Sequence, residues 1–242
     1  MLNLSLLAVV GMLVFQNMVD QRRRALALVK DAHARSEALL LNVLPPSIAE
    51  RLKASPGTIA DRFDAVTILF ADIVGFTALS ARVSPEKLVE LLNDVFTQFD
   101  ALADRHGLEK IKTIGDAYMV VGGLPQPRAD HAAAVARMSL RMLAVVEQHA
   151  VRLGHPLSIR VGIHSGPAVA GVIGRRKFIY DLWGDAVNTA SRMESHGQPG
   201  QVQVSEATQR LLNGTFVLRE RGTIEVKGKG AMTTWFLERE LG

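Results

Sequence analysis

The sequence predicts an α+β protein: a ferredoxin-like βαββαβ core with a C-terminal extension, preceded by a long N-terminal helix. Three observations carry that expectation. Between residues 65 and 164, short apolar runs and longer amphipathic stretches follow the order strand, helix, strand, strand, helix, strand. Further short apolar runs, punctuated by glycine turns, continue to residue 238. Ahead of the core, a helical pattern over 20–44 stops at Pro45-Pro46, where one proline restricts its neighbour and the next removes a donor.

The N-terminal stretch 1–19 is almost wholly apolar, although Asn3, Gln16 and Asn17 interrupt it, and Gln21-Arg22-Arg23-Arg24 follows. Positive charge after an apolar run reverses the order of a signal peptide. The stretch reads as the end of a transmembrane helix leaving toward the cytoplasm, which would place the protein at the cell membrane. The other reading is a hydrophobic helix packed on a partner. Residues 20–53 form a helical linker in which Leu28, Val29, Ala32, Leu39, Leu40 and Val43 share one side, as in a parallel coiled coil between two chains. A short helix over 47–53 and a loop through Pro56-Gly57 complete it.

The main domain occupies 54–242. Its core elements are a buried strand at 65–72, a helix over 85–106 started by Ser84, strands at 108–114 and 117–121 joined around Gly115, a helix over 129–151, and a strand at 157–164. The extension adds a hairpin (168–172 with 177–182), a helix over 185–195, a strand at 201–204, a short helix over 205–212 and a terminal hairpin (216–226 with 233–238). With 242 residues, 48% of them hydrophobic, the chain can bury a sizeable core. The net charge of +4 is spread among acidic neighbours with no dense basic run, which argues against a nucleic-acid partner. There is no cysteine, so disulfides, thiolate metal sites and cysteine nucleophiles are excluded.

Two carboxylates stand out. Asp72 ends an apolar strand and is followed by Gly75; it is costly there unless its charge is compensated, although capping the next turn would also explain it. Asp116 lies in Gly115-Asp116, a common turn pair. In a ferredoxin-like unit the first and third strands are central neighbours, so the hairpin tip can lie beside Asp72. Two hard oxygen ligands there suit Mg²⁺ or Mn²⁺ and two-metal phosphoryl transfer. Farther on, Asp185 is a plausible N-cap. Asn188 and Arg192, spaced i, i+4, share a helix face that would otherwise be ordinary solvated surface.

The segments from Phe70 to Thr77, Lys112 to Tyr118 and Trp183 to Arg192 resemble, in order, the signature blocks of class III nucleotidyl cyclases. Val226-Lys227-Gly228-Lys229-Gly230 is similar to the block near the end of that domain. The resemblance implies an adenylate cyclase that makes cyclic AMP and pyrophosphate for intracellular signalling, working with two divalent metal ions at sites shared across a homodimer. It implies that Asp72, Asp116 and the Ile73 carbonyl bind metal, and that the backbone around Val74, Gly75, Phe76 and Thr77 cradles phosphate. Arg192 would meet charge on the α-phosphate, Asn188 would orient the ribose, and Lys227, or its neighbour Lys229, would neutralise the terminal phosphates. Lys112 and Asp181 match the base-reading positions: a donor-only lysine and an acceptor-only carboxylate complement adenine, whereas guanine reverses that pattern. The metal aspartates and the base, ribose and arginine positions would come from different chains of a head-to-tail dimer. A guanylate cyclase and a catalytically silent cyclase-like module are the alternatives. The Gly-Gly-Asp/Glu-Glu-Phe hairpin of diguanylate cyclases is absent.

Overall fold

The computed structural model describes residues 4–55, 57–174 and 178–242, so Asn3, Pro56 and Lys177 lie outside the described residues. The chain divides into two compact units, Met1–Gly57 and Thr58–Gly242. In the first unit, α1 (Leu4–Leu41) is one continuous helix of 38 residues that joins the two segments expected at 1–19 and 20–44. At about 1.5 Å per residue it is roughly 57 Å long. The second helix, α2 (Pro46–Ala54), begins after extended Pro45, with Pro46 in the first turn where its missing donor is not needed. Lys53 Nζ donates to Glu37 Oε1 at 2.5 Å and ties α2 to α1.

Of the expected coiled-coil stripe, Leu28, Val29, Ala32 and Leu39 on α1 and Val43 just beyond it are exposed, as are Leu13, Phe15 and Met18 nearer the start of α1. Among the described residues no helix is long and apolar enough to cross a membrane. The transmembrane reading of 1–19 is therefore not supported by the structure. Gln16, Asn17 and Asp20 break the apolar run, and in hydrocarbon each carries a desolvation cost.

The second unit is built on one mixed sheet. Its elements are β1 (Ile59–Ile73), α3 (Phe76–Ser80), α4 (Pro85–His106), β2 (Glu109–Ile114), β3 (Ala117–Gly122), α5 (His131–Leu153) and β4 (Ile159–Val172). These are followed by β5 (Tyr180–Trp183), α6 (Asp185–Ser195), β6 (Val202–Ser205), α7 (Glu206–Leu212), β7 (Phe216–Val226) and β8 (Gly230–Glu240). The strand order is β2-β3-β1-β4-β6-β8-β7, with β5 pairing to β4 off that path. β1 lies antiparallel between β3 and β4, the arrangement that the βαββαβ order predicts. The extension joins through β6, parallel to β4.

Local chemistry sets the ends of the helices. Ser84 Oγ accepts from Lys87 N at the start of α4, Pro85 follows in the first turn, and left-handed Gly107 ends the helix. On β4, Val161 and Ile163 point into a core shared with Phe99 of α4 and Val135, Met138 and Met142 of α5. Side chains alternate along a strand, so Gly162 faces the other way, toward α6. A Cβ at Gly162 would lie 1.9 Å from Glu194 N, which makes this glycine the condition for α6 to sit on the sheet.

Two expectations are corrected. The strands expected at 157–164 and 168–172 are one strand, β4, running through Pro167. The register between β1 and β4 shifts between Phe63 and Val66, opposite that proline, so its missing N–H leaves no pairing unmet. The partner strand expected from 177 begins at Tyr180 as β5.

Candidate active site

Strand register alone assembles the first part of the site. Asp72 is opposite Ala117 on β3 and Arg160 on β4. Asp116 immediately precedes Ala117 in a turn made possible by left-handed Gly115. Ala71, Ile73, Ile159 and Val161 belong to the core under α4 and α5, so alternation puts Asp72 and Arg160 on the opposite, α6 face of the sheet. Burial raises the Asp116 carboxyl above its usual range, and the Asp72 charge beside it adds to the effect; a backbone hydrogen bond and Arg160 oppose it.

Arg160 is the residue that sequence reasoning missed. Its Nη2 donates to Asp72 Oδ2 at 2.8 Å and its Nε donates to Glu194 Oε1 at 3.1 Å. Burial, with the Asp72 charge adding, pushes Glu194 up to about 6 against the pull of Arg160. In the sequence, Arg160 is one charged position between two apolar ones in a strand. That flank was the available signal, but only the β1–β4 register shows that the arginine faces an aspartate.

This edge fits a divalent cation. Two carboxylates crowd one another with a single arginine between Asp72 and Glu194. Among the described residues no three His, Asp or Glu side chains converge as a ready-made metal cage. Mg²⁺ and Mn²⁺ are commonly held by one or two carboxylates, with substrate phosphates and water completing the shell. After Ile73, Gly75 adopts a left-handed conformation at φ 71° and opens the short helix α3, which begins with Phe76 and Thr77.

A second group of predicted residues assembles elsewhere. Lys112 on β2 forms an ion pair with Asp181 on β5, joining two strands that are not neighbours in the sheet. Asp181 Oδ1 also accepts from Leu182 N at 2.8 Å, which fixes the carboxylate. Gly184, not Asp185, caps α6. Asp185 occupies the first helical position and its carboxylate is taken by Lys229, so the N-cap expectation is corrected by a tertiary partner. Lys227 is exposed and makes no hydrogen bond or ion pair among the described residues.

Helix α6 carries the remaining predicted residues. Ala186, Thr189, Ala190 and Met193 are buried, while Asn188 is exposed and Arg192 half-buried one turn along. At about 100° per residue, Arg192 and Glu194 diverge by roughly 160° around the axis. The structure thus brings Asp72 to Asp116 and Lys112 to Asp181. Arg192 forms no ion pair with either metal-edge aspartate among the described residues.

Residues 58–239 match the family model described as adenylate and guanylate cyclase catalytic domain. An adenylate cyclase from Mycobacterium tuberculosis is 54% identical over 215 residues, covering 88% of this chain and 48% of that protein. The chain thus spans about half the length of this curated relative. Among solved structures, the guanylate cyclase domain of RhGC from Catenaria anguillulae in complex with GTP is 38% identical, with a TM-score of 0.72 over 75% of this chain and 100% of that one. The adenylyl cyclase CyaB from P. aeruginosa is 32% identical, with a TM-score of 0.70 over 76% of this chain and 100% of that one.

Proposed function

The chain belongs to the adenylate and guanylate cyclase catalytic-domain family, and we propose that it converts ATP to 3′,5′-cyclic AMP and pyrophosphate at sites shared by two copies of itself. The observation that carries the choice of substrate is the Lys112–Asp181 pair. It holds a cationic donor and an anionic acceptor side by side, matching the N1 acceptor and exocyclic amino donor of adenine. Guanine, with O6 and N1–H, meets the same pair in the wrong order and leaves polar groups unpaired.

Each residue then has a chemical task. Asn188 orients the ribose, and Arg192, a permanently charged planar fork, meets charge growing on the α-phosphate. Lys227, which makes no ion pair among the described residues, neutralises the terminal phosphates, while Lys229 holds Asp185. Arg160, anchored between Asp72 and Glu194, offers its remaining donors to phosphate oxygens at the metal edge. Gly75, Phe76 and Thr77 carry the backbone that lies against the phosphates. Asp72, Asp116 and the Ile73 carbonyl would hold divalent ions, which would supply Lewis acidity at the ribose 3′-hydroxyl.

Arg192 and Glu194 sit on opposed sides of α6, which supports a head-to-tail homodimer in which one copy's Asn188 and Arg192 meet the other's Asp72 and Asp116. The exposed stripe on α1 supports a coiled coil between the two copies. A membrane position, with the catalytic domain in the cytoplasm, rests on the arginines after the apolar stretch 1–19; flotation with lipid vesicles tests it. The decisive assay for the reaction is turnover of the purified chain with Mn²⁺ and ATP against GTP. Cyclic AMP as the dominant product is expected; cyclic GMP at equal or greater rate would overturn the choice of base.

A further inference from the structure

Helix α6 carries two kinds of contact on two sides. One side presents Asn188 and Arg192. On the other, Glu194 Oε1 accepts from Arg160 Nε at 3.1 Å, and the same guanidinium reaches Asp72 Oδ2 at 2.8 Å. Glu194 is the most enclosed member of this chain of contacts, its side chain 13% exposed against 31% for Arg160 and 21% for Asp72. A buried carboxylate is retained at a cost unless it is paired, and here its ion-pair partner is the arginine that touches a metal-edge aspartate.

The helix is also held too tightly to shift on its own. A Cβ at Gly162 would lie 1.9 Å from Glu194 N, 2.4 Å from Met193 C and 2.5 Å from Glu194 Cα. The α6 backbone at Met193 and Glu194 is therefore seated directly on β4. A displacement of Arg160 or Asp72 must then strain this contact or move α6 as a body, and Arg192 is only two residues away on the same rigid element.

We infer that Glu194 is a positioning residue that couples the two active sites of the dimer, by clamping Arg160 at its own chain's Asp72 while sharing a rigid helix with the Arg192 that serves the other site. This rests on the shared-site reading above and goes beyond it. Occupation of one site pulls on Arg160, the clamp passes the load to α6, and Arg192 in the second site responds. The helix is the physical link that coupling between sites requires.

The test uses heterodimers with one working site. One chain carries D72A and supplies Arg192; the other carries R192A and supplies Asp72. E194Q keeps the size and an acceptor oxygen but removes the charge, and it is placed on either chain in turn. On the Asp72-supplying chain it should cut kcat/KM for ATP by about 10-fold. On the Arg192-supplying chain, whose own Asp72 is already gone, it should lower kcat by about 5-fold with KM unchanged. Fluorescence titration with a non-cyclising ATP analogue in EDTA gives a second readout: affinity should fall only for the first placement. Glu194→Asp, which keeps the charge, should recover part of the activity in both placements. Unfolding midpoints of the E194Q and unsubstituted heterodimers should agree within a few degrees. An inactive D72A/R192A heterodimer without E194Q would overturn the shared-site reading itself. An active one in which E194Q on the Arg192-supplying chain changes nothing would overturn the coupling alone.

Discussion

The metal edge and the base edge of this domain are built from the same residue types and differ in what those residues do to one another. At the metal edge, Asp72 and Asp116 crowd together, Glu194 is pushed up to about 6, and Arg160 is shared between two carboxylates. At the base edge, Lys112 pairs one-to-one with Asp181, and Lys229 with Asp185. The first edge is left with surplus negative charge and the second with Arg192 and Lys227 uncommitted. Each edge lacks what the other holds in excess. That is the charge pattern that the proposed head-to-tail pairing of two copies, with a polyanionic substrate and divalent cations between them, would satisfy.

The hardest break is to remove one member from each edge. D72A and R192A should each lose about 1000-fold or more in kcat, because in the proposed reaction one removes a metal ligand and the other a charge that stabilises the transition state. Mixed in equal amounts, half the dimers are heterodimers with one of two sites intact, so cyclic AMP production should return to about a quarter of the parent rate. Activity in the mixture no higher than that of either variant alone would show that both edges serve one chain's site.

The base edge is sharpened by reversing its hydrogen-bond pattern. The K112E/D181C double variant should lose about 100-fold in ATP turnover while gaining relative activity on GTP. An unchanged ATP-to-GTP ratio would place base recognition elsewhere. At the metal edge, R160A should lower kcat/KM by about 10- to 100-fold and raise the Mn²⁺ concentration needed for half-maximal rate. Loss at the base edge only, with the metal requirement unmoved, would break the assignment.

Smaller effects concern the scaffold between the edges. G162A forces a Cβ into the α6 backbone and should cost about 3 kcal/mol of stability, read by urea unfolding. Outside both edges, burial pushes Glu109 on β2 up to about 7, with Asp104 adding to it. The folded state therefore holds a proton that the unfolded chain has released, and stability falls as pH rises from about 4.5 to 7. E109Q should remove that slope, gaining about 1 kcal/mol at pH 7 and nothing at pH 4.5, with solvent screening keeping the gain below the full linkage value.

Most elements were legible because their signals are local. Helix α4 lies between Ser84-Pro85 and Gly107 as capping rules place it, and the alternation of short and long apolar runs gives the βαββαβ order. Asp185 was misread because a local rule favours it as a cap, and Lys229, 44 residues away, takes its carboxylate instead. The stretch 1–19 read as the end of a membrane span because it is largely apolar and arginines follow it, whereas among the described residues no helix is long and apolar enough to cross a membrane.

By itself the sequence determined the order of elements and the residue types of both edges, and its Lys112 and Asp181 supplied the hydrogen-bonding argument on which the proposed adenine preference rests. Only the tertiary structure decided that Arg160 stands between Asp72 and Glu194, that Gly162 lets α6 lie on the sheet, and that among the described residues Arg192 makes no ion pair with its own chain's aspartates. The physical reason is range. Caps, turns and periodicity act within a few residues, whereas pairing Asp72 with Arg160 spans 88 positions and depends on a strand register that the chain acquires only when the whole sheet closes.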